Sequence, residues 1–407
     1  MPPPSPEALD RLLAEAAARF GTPAYVYLTE AVEDRLVELQ AAFGRWFTLS
    51  YAVKANPNPA LLCWLHGRVE TLDISSGGEL ARALTAGWAA DRLSFTGPAK
   101  REAELAAAVA AGPVEVVLES LREARLLSRL AQEAGGVQPV LVRLSPDRVP
   151  RGFGDHMAGR PSPFGIDVED AGPALAEIAA LPGLALQGLH IYSGTQSLKP
   201  EAIAENWRIY LQVFRDSCAG LDLAPERLVF GSGLGIPYHD GDSALDLARI
   251  AADIGPDLDA FRSEPRFART AMSLELGRYL VGEAGYFVTR VVALKQSRGS
   301  TLALCDGGMN AHLAASGHFG MVIKRNYRMH RVCGGTPVQK VDLTGPLCTS
   351  LDRLGTGVML PVLAEGDLIA IHASGAYGPT ASPTAFISHP APREVLAEGG
   401  QLRDVTP

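Results

Sequence analysis

Cysteine is scarce in this 407-residue chain: Cys63, Cys218, Cys305, Cys333 and Cys348 lie far apart, are odd in number and form no C-x-x-C pair. That scatter excludes a disulfide framework, offers no zinc or redox motif, and fits a reducing cytoplasm. Excess positive charge is missing too. With a formal net charge of -8, the chain has no general attraction for polyanions, so nucleic acid is not an expected partner. No stretch of membrane-spanning length is free of charge, so no membrane association is expected. The opening "MPPPSPEALDRLLAEAAARF" has neither the basic n-region nor the apolar h-region of a signal peptide, which again suggests a cytoplasmic protein. H-E-x-x-H, G-x-S-x-G and Walker A patterns are all absent, leaving metalloprotease, α/β-hydrolase and P-loop readings without an anchor. No metal site is expected.

What the chain has is apolar material, 47% hydrophobic against 20% charged residues, enough for a soluble core and more than one domain. Short apolar runs alternate with Ala-rich and Glu/Arg-rich helical stretches: "FTLSYAVK", "ETLDIS", "RLSFTG", "VEVVLES", "QPVLVRLS", "LALQGLHIY", "RLVFGSG" and "TAMSLELG". Strands spaced by helices indicate βα units on a parallel sheet, and eight of them are what a (β/α)8 TIM-type barrel needs. Such a barrel brings the strand ends at Lys54, His190, Gly231 and Glu275 to one rim. Beyond about residue 280, "YFVTRVVALKQS", "STLALCDGG", "VQKVDLTGPLC" and "DLIAIHASGAYG" are strand-like and separated by Gly, Pro and Asp turns, predicting an all-β domain. The expected organisation is an α/β chain with an N-terminal segment over 1–35 that partly joins the β-domain, a barrel over 36–279 and the β-domain over 280–407. The segment "RVPRGFGDHMAGRPSPFGID" reads as a loop able to lie over the rim.

Several residues invite chemistry. A lysine at a strand end, such as Lys54 in "YAVKANPN", is commonly a solvated cation, but inside a barrel mouth partial burial lowers its pKa and makes the amine usable for a Schiff base. In "FGSGLGIPY" the glycines 231, 233 and 235 suit either a tight βα turn or a backbone cradle for a phosphate. "LHIYSGTQ" ends a strand with His190, which is either structural or a stacking partner for a flat ring. Glu275 in "LELGRYLVGEAG" is either half of a domain-junction ion pair or a carboxylate that holds a proton on a heterocyclic nitrogen. Cys348 in "GPLCTSLDRLG" sits between Gly-Pro and a polar turn, which suggests exposure.

In this order the motifs resemble those of the barrel-type pyridoxal phosphate (PLP) decarboxylases, the family of diaminopimelate and ornithine decarboxylases, from "FGTPAYVY" to "SHPAPREVL". "YAVKAN", "DISSGGEL", "HIYSGTQ", "GSGLGIPY", "ELGRYLVGEAG", "CDGGMN", "GPLC" and "SGAYG" carry the likeness. The resemblance implies that Lys54 holds the cofactor and that His190 stacks on its ring. It gives the phosphate to Ser193, the backbone of Gly233, Leu234 and Gly235, Arg278 and Tyr377, and sets Glu275 against the pyridine nitrogen with Asp73 nearby. It also implies a homodimer with shared sites, in which Cys348 acts as proton donor and Arg278, Thr349, Asp352 and Tyr377 meet the substrate. A carboxylate at the ring nitrogen suits decarboxylation, whereas the related alanine racemases place an arginine there.

Three departures bear on substrate. Thr349 stands where diaminopimelate and ornithine decarboxylases carry an acidic residue for the far ammonium. Tyr192 replaces the usual glycine before the phosphate serine. "GGMNAHLAASGHFG" resembles a biosynthetic branch of which some members act on an aminoacyl group tethered to an acyl carrier protein. The expectation is a specialised α-decarboxylase of an amino acid or a carrier-bound aminoacyl group. The alternatives are a diaminopimelate or other basic amino-acid decarboxylase, a PLP-dependent racemase or epimerase, and a non-catalytic PLP carrier.

Overall fold

The computed structural model of the protein describes residues 5–318 and 324–407. The first prolines and the last two residues of "GGMNAHLAASGHFG" lie outside the described residues. The chain divides into two compact units: residues 37–235 with 244–277, and residues 1–36 with 236–243 and 278–407.

Eight parallel strands close the first unit into a barrel. Glu115–Leu118, Leu93–Phe95, Thr71–Ile74, Thr48–Ala52, Ala271–Leu276, Arg227–Gly231, Leu184–Ile191 and Gln138–Ser145 pair in that order, and the last returns to the first. Helices cover their outer faces, so both faces of each strand are buried and the strands read as continuous apolar runs rather than alternating ones. Glu115–Leu118 is buried at all four positions. Val117, Leu141 and Val229 meet as a cluster of the core. Helix starts follow capping rules: the Ser76 and Ser120 side chains accept from the backbone N–H of Glu79 and Glu123, satisfying donors that the first turn leaves open.

The second unit is a nine-stranded sheet. The early strand Ala24–Leu28 lies within it, antiparallel to Gly285–Ser297 and parallel to Arg393–Glu398. Helix Pro6–Phe20 turns Leu9, Leu13, Ala16 and Ala17, one face at helical spacing, onto Val26, Val288, Ala370 and Val395 of that sheet. Among the described residues, no helix is long and apolar enough to cross a membrane.

Candidate active site

The stretch around Lys54 is a strand end followed by a built turn. Thr48–Ala52 is the strand, and Val53–Ala55 is a single 3-10 turn. The buried Tyr51 hydroxyl donates to the Asn56 carbonyl at 3.0 Å. The Asn56 side chain accepts from Asn58 N at 3.1 Å, and Asn58 caps the next helix by accepting from Ala60 N at 3.0 Å. Pro59 takes the first helical position, where its missing N–H costs nothing. The polar residues after Lys54 are therefore turn and cap chemistry that fixes the lysine at the barrel mouth.

Strand ends on both sides of it supply the side chains around it. Lys54 Nζ is 3.2 Å from Asp73 Oδ2 and 3.7 Å from Glu275 Oε1; the lysine side chain is 41% exposed and the two carboxylates 2% and 3%. An open amine thus faces two buried acids. Asp73 also accepts from the Thr96 hydroxyl. Glu275 Oε2 is 2.9 Å from His190 Nε2. Burial and the like charge of Glu275 push Asp73 up to about 7, against the pull of Lys54 and Thr96. Burial acts upward on Glu275 as well, but Lys54 and His190 hold it down to about 2. Desolvation lowers the His190 pKa, so the imidazole is neutral, donates from Nε2 to the ionised Glu275, and leaves Nδ1 as a buried nitrogen with no hydrogen-bond partner.

Ser193 sits in a buried hydrogen-bond network. Its hydroxyl donates to Asn206 Oδ1 at 2.9 Å. The Tyr210 hydroxyl accepts from Ser193 N at 3.0 Å and from Asn206 Nδ2 at 2.8 Å, so its own proton goes to Ser193 Oγ, 2.7 Å away. All three residues are fully buried. Ser193 has no donor left for an anion; it anchors the strand end to the Pro200–Gly220 helix. The glycine turn keeps the form of a cradle. Gly233 has φ 71°, and a Cβ there would stand 2.6 Å from Phe153 Cε1, while one on Gly235 would stand 2.8 Å from the Ser197 carbonyl.

Sequence reasoning missed a second group of buried charges. Arg143 Nη1 lies 3.1 and 3.3 Å from the two Glu119 oxygens, and its Nη2 donates to the Tyr192 carbonyl at 3.0 Å. Glu119 also accepts from Gly97 N and Gly165 N. Lys100 Nζ is 2.5 Å from Glu123 Oε1 and donates to the Val117 carbonyl at 2.7 Å. An arginine inside "VLVRLS" was the available signal, since a charge in an apolar strand needs a buried partner.

In the other unit, Arg278 is half-buried among tyrosines. Its Nη1 donates to the Tyr238 hydroxyl at 2.6 Å, its guanidinium lies 4.8 Å from the Tyr377 ring centre, and Nε has no hydrogen-bond partner. Cys348 is exposed, as expected. Asp352 is buried and accepts from Met309 N at 2.6 Å and Leu347 N at 2.8 Å. Both carboxylate oxygens hold the turn together.

The residues around Lys54 suit a pyridoxal cofactor. An open amine stands beside an ionised buried carboxylate, a flat imidazole has an unpartnered nitrogen, and the glycine turn has no room for a Cβ. Residues 29–282 match the family model for the pyridoxal-dependent decarboxylase, pyridoxal binding domain. The L-glutamyl-[BtrI acyl-carrier protein] decarboxylase of Niallia circulans is 33% identical over 94% of this chain and 90% of its own. Diaminopimelate decarboxylase of Methanothermobacter thermautotrophicus is 32% identical over 95% and 89%. In three dimensions the chain resembles diaminopimelate decarboxylase from Helicobacter pylori complexed with L-lysine, with a TM-score of 0.86 and 25% identity over 97% and 95% of the two chains. The chain belongs to the pyridoxal-dependent decarboxylase family and is a PLP-dependent carboxy-lyase.

Proposed function

We propose that this enzyme decarboxylates an aminoacyl group carried on an acyl carrier protein, rather than a free diamino acid. One observation carries the reading: the turn at Cys348 offers no carboxylate for a distal ammonium. Thr349 follows the cysteine, and Asp352, the one acidic residue between 345 and 352, spends both oxygens on backbone N–H groups. A far ammonium placed there would find no carboxylate partner in this turn. The action of the Niallia circulans relative on a carrier-bound glutamyl group points the same way.

Bound PLP supplies a protonated heteroaromatic ring that takes up the electron pair left when carbon dioxide departs. In our reading Lys54 contributes its amine to hold the cofactor. Glu275, kept ionised by Lys54 and His190, holds a proton at the ring nitrogen. Neutral His190 offers a stacking face, and Asp73 exchanges a proton with the Lys54 amine near neutral pH. The backbone of Gly233, Leu234 and Gly235 binds the phosphate. Arg278 and Tyr377 are assigned anion binding on their own chemistry. Cys348 delivers the proton that replaces the lost carboxylate, with Thr349 beside it, across a homodimer.

Carbon dioxide release from meso-diaminopimelate, L-lysine, L-ornithine, L-glutamate and an L-glutamyl carrier-protein thioester tests this. The thioester should exceed every free diamino acid in kcat/KM by roughly 10³ or more. Comparable turnover of any free diamino acid would return the enzyme to the basic amino-acid decarboxylases.

A further inference from the structure

The ring of Tyr192 has a defined place beside the reactive amine. Its centre lies 5.8 Å from Lys54 Nζ. Three features hold it there. Gly231 lies against the ring so closely that a Cβ would stand 2.4 Å from Cδ2 and 2.6 Å from Cγ. The Tyr192 carbonyl accepts from Arg143, which Glu119 fixes in turn. The next residue, Ser193, is bound through its N–H and hydroxyl to Tyr210 and Asn206. A side chain on so restrained a backbone, lying on a residue with no Cβ, is a fixed wall rather than an adaptable one.

We propose that Tyr192 is a specificity-determining residue that screens incoming amines by their bulk close to nitrogen, admitting substrates unbranched at Cβ and rejecting branched ones. The proposal rests on Lys54 being the cofactor lysine. A substrate amine exchanges with the Lys54 amine at one carbon of the cofactor, so the two nitrogens use the same neighbourhood. Bond lengths put a substrate Cβ about 2.5 Å and a Cγ about 3.8 Å from that nitrogen. With the ring centre 5.8 Å from Nζ, an unbranched chain can lead its Cγ away from the ring, whereas a second or third carbon on Cβ must turn toward it. A glycyl-like or glutamyl-like side chain passes this test, and a valyl-like one fails it.

Alkoxyamines test the wall without knowledge of the substrate. In O-methylhydroxylamine and O-tert-butylhydroxylamine the carbon two bonds from nitrogen corresponds to Cβ, and only the second compound is branched there. Each displaces Lys54 from the cofactor: the incoming nitrogen forms a C=N bond to the cofactor carbon, the lysine C=N bond breaks, both alkoxyamine protons pass to the departing lysine nitrogen, and nothing is oxidised. The rate is read from the loss of the lysine-bound cofactor absorbance of the holoenzyme, and cofactor affinity is titrated in parallel on the cofactor-free protein. The methyl-to-tert-butyl rate ratio should fall roughly tenfold or more in Tyr192→Ala and persist in Tyr192→Phe, with cofactor affinity similar in all three. An unchanged ratio in Tyr192→Ala overturns the proposal. So does a Tyr192→Ala protein that loses the cofactor while Tyr192→Phe keeps it, because the ring would then serve to hold the cofactor. Borohydride reduction followed by peptide mapping of the wild type separates the two levels: a pyridoxyl group anywhere other than Lys54 would sink the assignment of the lysine itself.

Discussion

In the barrel unit the buried charges are paired: Glu275 with Lys54 and the neutral His190, Arg143 with Glu119, Lys100 with Glu123. In the β unit, His312 is buried and His372 half-buried, both as neutral rings; burial takes His312 down to about 3, and burial with His330 and Arg328 takes His372 to about 4. His312 settles for a 2.9 Å hydrogen bond to the Ser374 hydroxyl. Burying an ion demands a counter-ion, whereas a neutral imidazole demands only hydrogen bonds. The barrel therefore gathers its buried charges into ion pairs, while the β unit keeps imidazoles neutral and ties its carboxylates Asp352 and Glu394 to backbone N–H groups and the Tyr27 hydroxyl. Cys348 is exposed in that unit, as is Cys333, and on the reading proposed above Cys348 is the group through which the β unit would take part in the chemistry.

That contrast can be broken most forcefully by comparing Lys54→Ala with Cys348→Ala. The first should reduce carbon dioxide release by on the order of 10⁴ to 10⁶ and abolish borohydride labelling. The second should reduce kcat by about 10² to 10⁴, the usual worth of a positioned proton donor, with labelling at Lys54 intact. Full activity in Cys348→Ala would make the β unit a scaffold only.

Much of this division was legible in the sequence, for physical reasons. Parallel barrel strands are buried on both faces, so eight apolar runs stood out between helical stretches, and Lys54, His190 and Glu275 were visible as polar residues ending such runs. Side chains whose role depends on a partner from a distant element were not legible. Nothing near Ser193 announces that Asn206 and Tyr210 will claim its hydroxyl, and nothing near Asp352 announces Met309 N. Residues 236–243, a short polar stretch without periodicity, gave no sign of belonging with the β unit. Arg143 was readable as an anomaly in its strand, but its tie to Tyr192 is a tertiary fact.

A smaller test compares two buried glutamates. Glu275→Gln removes the charge that faces Lys54 and should lower kcat by about 10² to 10³ with little change in KM. Glu394→Gln removes a buried carboxylate of the β unit that accepts from the Tyr27 hydroxyl at 2.8 Å. It should cost about 1 kcal/mol of stability and leave kcat unchanged. If both variants lose activity alike, the chemistry is not confined to charges around Lys54.

The smallest effect separates the units by pH in the cofactor-free protein. His312 and His372 have folded pKa values of about 3 and about 4, below the 6.5 of an unfolded histidine. As pH falls below 6.5 the unfolded β unit takes up protons that the folded one refuses, so its stability falls, by about 1.4 kcal/mol per pH unit for each histidine. Asp73 has the reverse sign. Its folded pKa of about 7 exceeds the 3.8 of an unfolded aspartate, so between these values the folded barrel holds a proton that the unfolded chain lacks, and stability rises as pH falls from 7 toward 4. Burial raises Glu123 as well and adds to the same trend, while Glu275, held down to about 2, enters only below 4.5. His190, whose pKa burial lowers, opposes that trend within the barrel, so between pH 6.5 and 4.5 acid should weaken the sheet more than the barrel, where Asp73 and Glu123 offset His190. Hydrogen-exchange free energies, corrected for intrinsic rate, should diverge between Gln138–Ser145 and Leu368–Ile371 over that window, and His312→Gln should reduce the slope of the latter. Changes of equal size in both strands would mean that the units unfold as one cooperative block, in which the opposing proton uptakes are summed and the contrast in burial leaves no separate trace on stability.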